Sequence, residues 1–509
     1  MNRASRNKQR PHETGMQFYG IDRSAGNGTR VKTEKQPGIP DKEGLIMRKQ
    51  FTVFLCTLLL AGCGATAAPS VSETTETAVP QVQVTAPEKT PETVKTEFNT
   101  SGTIEETTLF EQDGVIVRAT ELTYESSRAK LLVNVENNSG RAVQILSGTM
   151  GYSCNAVNGW MVHDGWINLE VPAGKKANGN AYFDYAPMLA CGIHGIETLY
   201  MSLQVEYDGD YSTTMTLDPV EIRTSLADAG DEDLPFDQVS TGLMNVWTGN
   251  RTLQFYDNNE LFNAAGIRIT GAAYFTDPDN KKYLVLELYN DADQVLDVDT
   301  KNIAANGFSL CSGRWSSNDI IPGKRDYMTL ELTMMKDEDD WKAMGITDVA
   351  DITLDVGVRN TNYDYISQPS PIAIHVSDSA GAGEPAAVDG SELYSGNGVR
   401  IISKGLSEDS IYVKWKLLIE NSNDFEITVT DGWGDKLSIN DYMVDYLMWS
   451  TDVGAHQSAI MEIEINKDSL EASGMDINSI GTAEIELEIK DESYNNIAEP
   501  VLVNDFSAE

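Results

Sequence analysis

Residues 411–421 read IYVKWKLLIEN. Ile411, Val413, Trp415, Leu417 and Ile419 alternate with Tyr412, Lys414, Lys416, Leu418 and Glu420, the period of a strand with one face against a core. Two other stretches share its plan and its terminal asparagine: LLVNVEN ending at Asn137 and LVLELYN ending at Asn290. Around each lies the same ordered set of landmarks. A Gly-hydrophobic pair, at Gly114-Val115, Gly266-Ile267 and Gly398-Val399, precedes the asparagine by 23, 24 and 23 residues. A Gly-bearing turn follows it, at Gly174, Gly323 and Gly454. A second Gly-hydrophobic pair, at Gly192-Ile193, Gly345-Ile346 and Gly474-Met475, is read as opening the last long strand. Each landmark is weak singly, but four in the same order, three times over, mark internal repetition.

The closing strands alternate too, through Leu199, Met201, Leu203 and Val205, then Ile352, Leu354, Val356 and Val358, then Ile485, Leu487 and Ile489. Gly, Asn, Asp and Pro punctuate at antiparallel-sandwich distances. The only helical turns expected are short, at 337–344 and 467–472. The expected fold is all-β, with three tandem immunoglobulin-like antiparallel β-sandwich domains at 109–224, 252–377 and 392–509. Between them lie an acidic linker, 225–251, and a flexible linker, 378–391, which contains SAGAGEPAAVDGS.

Upstream, residues 47–64 read MRKQFTVFLCTLLLAGCG. Arg48 and Lys49 precede an uncharged run, Phe51 to Leu60, of about ten residues, where a spanning helix needs roughly twenty. Leu60-Ala61-Gly62-Cys63 then resembles the lipobox of bacterial lipoprotein precursors. The resemblance implies signal-peptidase recognition of Leu60, Ala61 and Gly62, cleavage before Cys63, and a diacylglyceryl thioether on its sulfur. It also places the chain on the outer face of a cytoplasmic membrane, and the acidic, cysteine-poor composition leans toward a Gram-positive cell. Residues 1–46 fit no export signal. Lys42-Glu43-Gly44 is encodable as a ribosome-binding sequence two codons before Met47, so translation is expected to start at Met47. Residues 63–108, rich in Thr, Glu, Pro, Val and Ala, carry the lipid anchor and read as a flexible, disordered stalk.

The strand, asparagine and Pro-Gly-Lys turn plan also resembles the telokin-like, immunoglobulin-like domains of Gram-positive surface lipoproteins. The likeness covers Gly114–Phe183 best and is loose in the third repeat, where Val453-Gly454 lacks the proline. It implies fold and location more than activity.

Net charge is −40, and since residues 1–62 contribute +6 the remainder carries −46. Such an acidic chain repels nucleic acid and anionic lipid. Cys56 falls in the signal and Cys63 takes the lipid, leaving Cys154, Cys191 and Cys311. An odd number is no disulfide scaffold. Export permits a Cys154–Cys191 bridge, and free buried thiols are the favoured reading.

Catalytic patterns are sparse. Ser127 and Lys130 match SxxK but enter a strand, where lysine is not placed to activate serine. His163, His194, His375 and His456 lack metal-ligand spacing, so no metal and no cofactor are expected. Asp277, Asp279, Asp291, Asp293, Asp297 and Asp299 cluster without a full calcium-loop spacing and read as solvated turns. Trp160, Trp166, Tyr182 and Tyr185, and Trp433, Tyr442, Tyr446 and Trp449, are candidate sugar platforms, weighed against ordinary packing. The expectation is a non-catalytic surface protein, attached to the membrane through Cys63, that binds or scaffolds an extracellular protein, wall polymer or glycan. The alternative is a wall- or glycan-active hydrolase or carbohydrate-binding module.

Overall fold

The computed structural model describes residues 97–506, apart from 148–153, 250, 280, 311–315, 333–345, 347, 379–389 and 433–435. The described chain is built of strands around three hydrophobic cores, the all-β sandwich the alternation calls for.

The landmarks have physical causes. Asp113-Gly114, Ala265-Gly266 and Asn397-Gly398 all have positive φ at both residues, as the tightest hairpin turns require. Each joins the opening strand pair: Thr107–Gln112 with Val115–Tyr124, Phe262–Ala264 with Ile267–Thr276, and Ser391–Gly396 with Val399–Glu408. Asn137, Asn290 and Asn421 are buried clamps. Asn290 Nδ2 donates to Gln294 O at 2.9 Å and Ile320 O at 2.8 Å, while its Oδ1 accepts from Ala292 N. Asn137 and Asn421 do the same, reaching Arg141 O and Val171 O, and Phe425 O and Val453 O. One amide thus ties the end of a strand to the loop behind it and to the strand arriving from the opposite sheet.

Two landmarks are corrected. Gly192-Ile193 and Gly474-Met475 do not open strands; they stop the helices Tyr185–Ala190 and Lys467–Ala472. Gly192 N bonds Leu189 O and Ile193 N bonds Met188 O, with the same pair of bonds at Gly474 and Met475, a glycine C-cap in the left-handed region. In the third repeat the left-handed turn residue is His456, at φ 56°, rather than Gly454. Ile411, placed on the inward phase, is 57% exposed, because a turn closed on Asp409 holds it before the strand Tyr412–Asn421 begins. The helix expected at 467–472 is present, and that at 337–344 lies outside the described residues.

A further helix, Phe236–Thr248, occupies the acidic linker. Phe236, Val239, Leu243 and Met244 recur on one face and enter the first core together with Ala273, Phe275, Tyr283 and Val285 of the second repeat.

The repeats are not beads on a string. One sheet runs, in spatial order, through Val220–Arg223, Thr198–Met201, Asn155–Val157 and Trp160–Val162 of the first repeat, then Arg325–Glu331, Lys282–Asn290, Ile267–Thr276 and Thr252–Asp257 of the second. Another runs through Tyr365–His375, Asp351–Arg359, Leu296–Ala305 and Phe308–Ser309, then Ser458–Asn466, Tyr412–Asn421, Val399–Glu408 and Ser391–Gly396 of the third. Each crosses a repeat boundary on one parallel bridge, Trp160 with Arg325 and Phe308 with Ser458. A strand in a shared sheet has two buried faces: Leu284 and Leu286 face the second core while Val285 faces the first, and Leu418 joins the second core while Leu417 stays in the third.

Candidate functional site

The chemistry-bearing side chains the fold brings together lie at the first boundary. At each boundary the approaching strand pair is a hairpin turning on an asparagine with φ near 50°: Asn158 before Trp160 and Asn306 before Phe308. Asn158 Oδ1 accepts from Glu197 N and Thr198 N and its Nδ2 donates to Gly195 O. Asn306 repeats this with Ala350 N, Asp351 N and Asp348 O. The hairpin is therefore rigid, and its next carbonyl faces the following repeat: Arg325 N donates to Gly159 O at 2.9 Å, and Ser458 N to Gly307 O at 3.0 Å. Lys324 Nζ reaches Asn158 O at 2.6 Å and lies 4.0 Å over the Tyr200 ring.

Beside the first hairpin is a cavity of about 150 Å³ lined by Met161, Val162, His163, Asp164, Met188, Cys191, Trp247 and Tyr327 among others. His163 Nε2 lies 3.3 Å from Asp326 Oδ1, and Asp326 also accepts from Asn318 Nδ2 and the Tyr327 amide. Packing pulls the His163 pKa down, but the bond to Asp326 and its charge outweigh that, so the imidazole titrates above its ordinary value. Trp247 and Tyr327 wall the ring at centroid distances of 6.1 and 5.0 Å. Burial pushes the Cys191 thiol and the Tyr327 hydroxyl well up, so both stay protonated, and a protonated thiol is a poor nucleophile. Ligand pockets usually measure roughly 300–1,000 Å³. This one holds a few atoms, and its His–Asp pair ties the two repeats together.

The other candidates separate in space. Asp297 and Asp299 are buried and held by Arg359 at 2.6 and 3.6 Å, and Tyr365 donates to Asp299. Asp277 caps its own turn, and Asp291 pairs with Arg268. Among the described residues no three His, Cys, Asp or Glu side chains are grouped to hold a metal ion. Trp160 is buried in the boundary, Tyr185 stacks on Phe98 at 4.2 Å, and Arg128 covers Tyr182, which leaves Trp166 exposed in the first group. In the third repeat Tyr442 and Trp449 are exposed, while Tyr446 donates to Asp431. Trp433, Cys311, Cys63 and its flanking Leu60, Ala61 and Gly62 lie outside the described residues. Cys154 and Cys191 are unbonded, buried in the second and first cores respectively. Ser127 precedes a strand, its carbonyl accepting from Tyr185 N.

No family model matches the chain, and no curated protein does. Solved structures with some likeness include one concerned with host cell surface retention of a 1.5-MDa bacterial ice-binding adhesin, at 10% identity and TM-score 0.13 over 74% of this chain and 90% of that one. A protein of unknown function from Porphyromonas gingivalis W83 matches at 11% identity and TM-score 0.14, over 45% and 93%. The exo-chitosanase of Amycolatopsis orientalis matches at 6% identity and TM-score 0.15, over 76% and 79%. Similarity this slight carries nothing about activity.

Proposed function

We propose that this is a protein lipid-anchored on the outer face of the cytoplasmic membrane, whose three fused sandwiches form a stiff, non-catalytic arm that binds or scaffolds an extracellular protein, wall polymer or glycan. The observation that carries the reading is the pair of sheets that continue across repeat boundaries, each through one parallel bridge. Sheet continuity suppresses the hinge motion expected of tandem domains, a property of use to a spacer or scaffold. The lipobox at Leu60–Cys63 supports the anchor. In detergent-phase partitioning the unaltered protein is expected in the detergent phase and Cys63→Ala in the aqueous phase; partitioning unchanged by Cys63→Ala overturns the anchor.

A second reading is favoured by the exposed indoles of Trp166 and Trp449, 59% and 53% accessible. Exposed aromatic faces stack on sugar rings, which would make the arm a carbohydrate-binding module or the carrier of a glycan-active site. Glycan-array binding abolished by Trp166→Ala or Trp449→Ala supports this reading, and an array without signal removes it.

A further inference from the structure

The two shared sheets follow one rule: the last half-sheet of one repeat is completed by the first half-sheet of the next. Among the described residues two half-sheets are left uncompleted. At one end Val501–Asp505, Thr482–Glu486, Ser438–Ile439 and Tyr442–Met443 form a four-stranded sheet ending on the hairpin Tyr442–Met443. At the other, Lys175–Asp184, Arg128–Asn137, Val115–Tyr124 and Thr107–Gln112 form a four-stranded sheet ending on Lys175–Asp184. Placed side by side they reproduce the strand order of both shared sheets.

The free hairpin is the same device as the two buried ones. Asn440, at φ 49°, accepts from Gly481 N and Thr482 N and donates to Ser479 O, matching Asn158 and Asn306 bond for bond. An aromatic residue follows in each copy, but its burial differs. Trp160 and Met161 are 7% and 2% exposed and Phe308 and Ser309 are 6% and 5%, whereas Tyr442 and Met443 are 57% and 58%. The receiving corner is also repeated: Lys175 N bonds Pro172 O as Lys324 N bonds Ile321 O and Gln457 N bonds Gly454 O. Lys175 and Lys176, both exposed, stand where Lys324 and Arg325 stand in the first boundary.

We propose that the protein assembles head to tail, the Tyr442–Met443 hairpin of one copy docking beside the Lys175–Asp184 strand of a second copy to complete a third shared sheet. Net charge opposes a second copy, but the local charges at the contact favour this occupant. Lys175 takes the place of Lys324, and Glu484 that of Tyr200, so an ion pair replaces the contact of lysine with the ring. Lys176 meets Tyr442 as Arg325 meets Trp160, 5.7 Å over its ring. One bond does not carry over. Ile321 N and Gly454 N donate to Met161 Sδ and Ser309 Oγ, but Pro172 has no N–H, so Met443 packs on its ring instead. The contact is heterologous, so it generates open chains or rings rather than two-fold dimers. The proposal deepens the scaffold reading and rests on it, since anchored copies meet at high local concentration. Its test uses no lipid, so its failure leaves the anchor standing.

The test is sedimentation of residues 91–509, the compact unit holding all three cores, from micromolar to about 1 mM, the range tethering supplies. Average mass is expected to rise with concentration. Tyr442→Asp with Met443→Asp, and separately Lys175→Glu with Lys176→Glu, are each expected to weaken association by on the order of tenfold or more. All four side chains are exposed, and the one pair given up, Lys176 with Glu136 at 3.0 Å, is a surface pair worth about 1 kcal/mol or less, so both variants should fold, checked by circular dichroism. Mixing the two variants leaves one intact hairpin and one intact corner, and is expected to restore a dimer and nothing larger. A mass independent of concentration overturns the proposal and assigns Pro172, Lys175 and Lys176 to shielding a bare sheet edge. Association that survives in the lysine variant alone also overturns it, because two hairpins would then be meeting each other.

Discussion

Replacing Asn290 with alanine strands three partners at once. Its amide donates at 2.9 Å to Gln294 O and 2.8 Å to Ile320 O, and its carbonyl accepts at 2.8 Å from Ala292 N. A buried polar group left bare costs about 1–3 kcal/mol. Ile320 O is fully enclosed, whereas Gln294 O and Ala292 N lie nearer the surface, where water replaces part of what is lost. The expected loss is about 3–4 kcal/mol in all, against a few tenths for the exposed control Asn263→Ala. Asn290→Asp should be worse at neutral pH, since a carboxylate would face two carbonyl oxygens. Its folded pKa would lie above the unfolded value, so its stability would be greatest in acid and fall as pH rises through the folded pKa. Urea denaturation of residues 91–509, followed by fluorescence at pH 5 and pH 7.5, reads both effects. A loss below about 1 kcal/mol for Asn290→Ala, or an Asn290→Asp variant more stable at the higher pH, refutes the clamp.

Two glycines should part company. Gly192→Ala puts a Cβ 2.2 Å from Glu232 O at φ 77° and is expected to cost well over the roughly 1–2 kcal/mol that the left-handed conformation alone imposes; Gly174→Ala, at φ 69° in open space, should stay within that range, as thermal melts of the pair will show. Phe308→Ala removes the buried anchor of the second boundary, with an expected cost of about 3–5 kcal/mol and small-angle scattering indicating a more flexible particle; an unchanged scattering profile counts against the boundary as a stiffening element. Packing lowers the pKa of the half-exposed His163, but the bond to Asp326 and its charge outweigh that and hold it above its ordinary value of 6.5, so its stabilisation, weakened by solvent screening, is complete below the unfolded pKa and lost as pH rises through the folded one. His163→Gln should therefore flatten the dependence of melting temperature on pH between 5.5 and 8, and an unaltered slope would assign that dependence elsewhere.

The sandwiches were legible because a two-residue period and a clamp asparagine recur wherever a half-sheet turns back. The second asparagine, at 158, 306 and 440, escaped because only two of its three copies precede glycine, Asn158-Gly159 and Asn306-Gly307, while the third reads Asn440-Asp441. The helix Phe236–Thr248 carries apolar residues at helical spacing, but it starts after Pro235 with no side-chain cap, so its onset is unmarked. The fusion was hidden for a different reason. A strand buried on both faces loses its alternation and reads only as a denser apolar run, as Tyr283–Leu286 and Leu417–Ile419 do. Nor does any local pattern tell that Trp160 and Arg325, so far apart in sequence, share a ladder. The cavity side chains come from four separate segments, and no local pattern places Asp326 or Tyr327 beside His163.

Hydrogen exchange at the boundary amides puts the fused arm to its most direct test. In dilute monomer, Arg325 N and Ser458 N, which donate to Gly159 O and Gly307 O, should exchange as slowly as amides in the middle of their strands. Lys176, the corresponding residue of the first repeat, should exchange fast. Rapid exchange at Arg325 and Ser458, matching Lys176, would mean that the sheets end at each repeat and the arm is jointed.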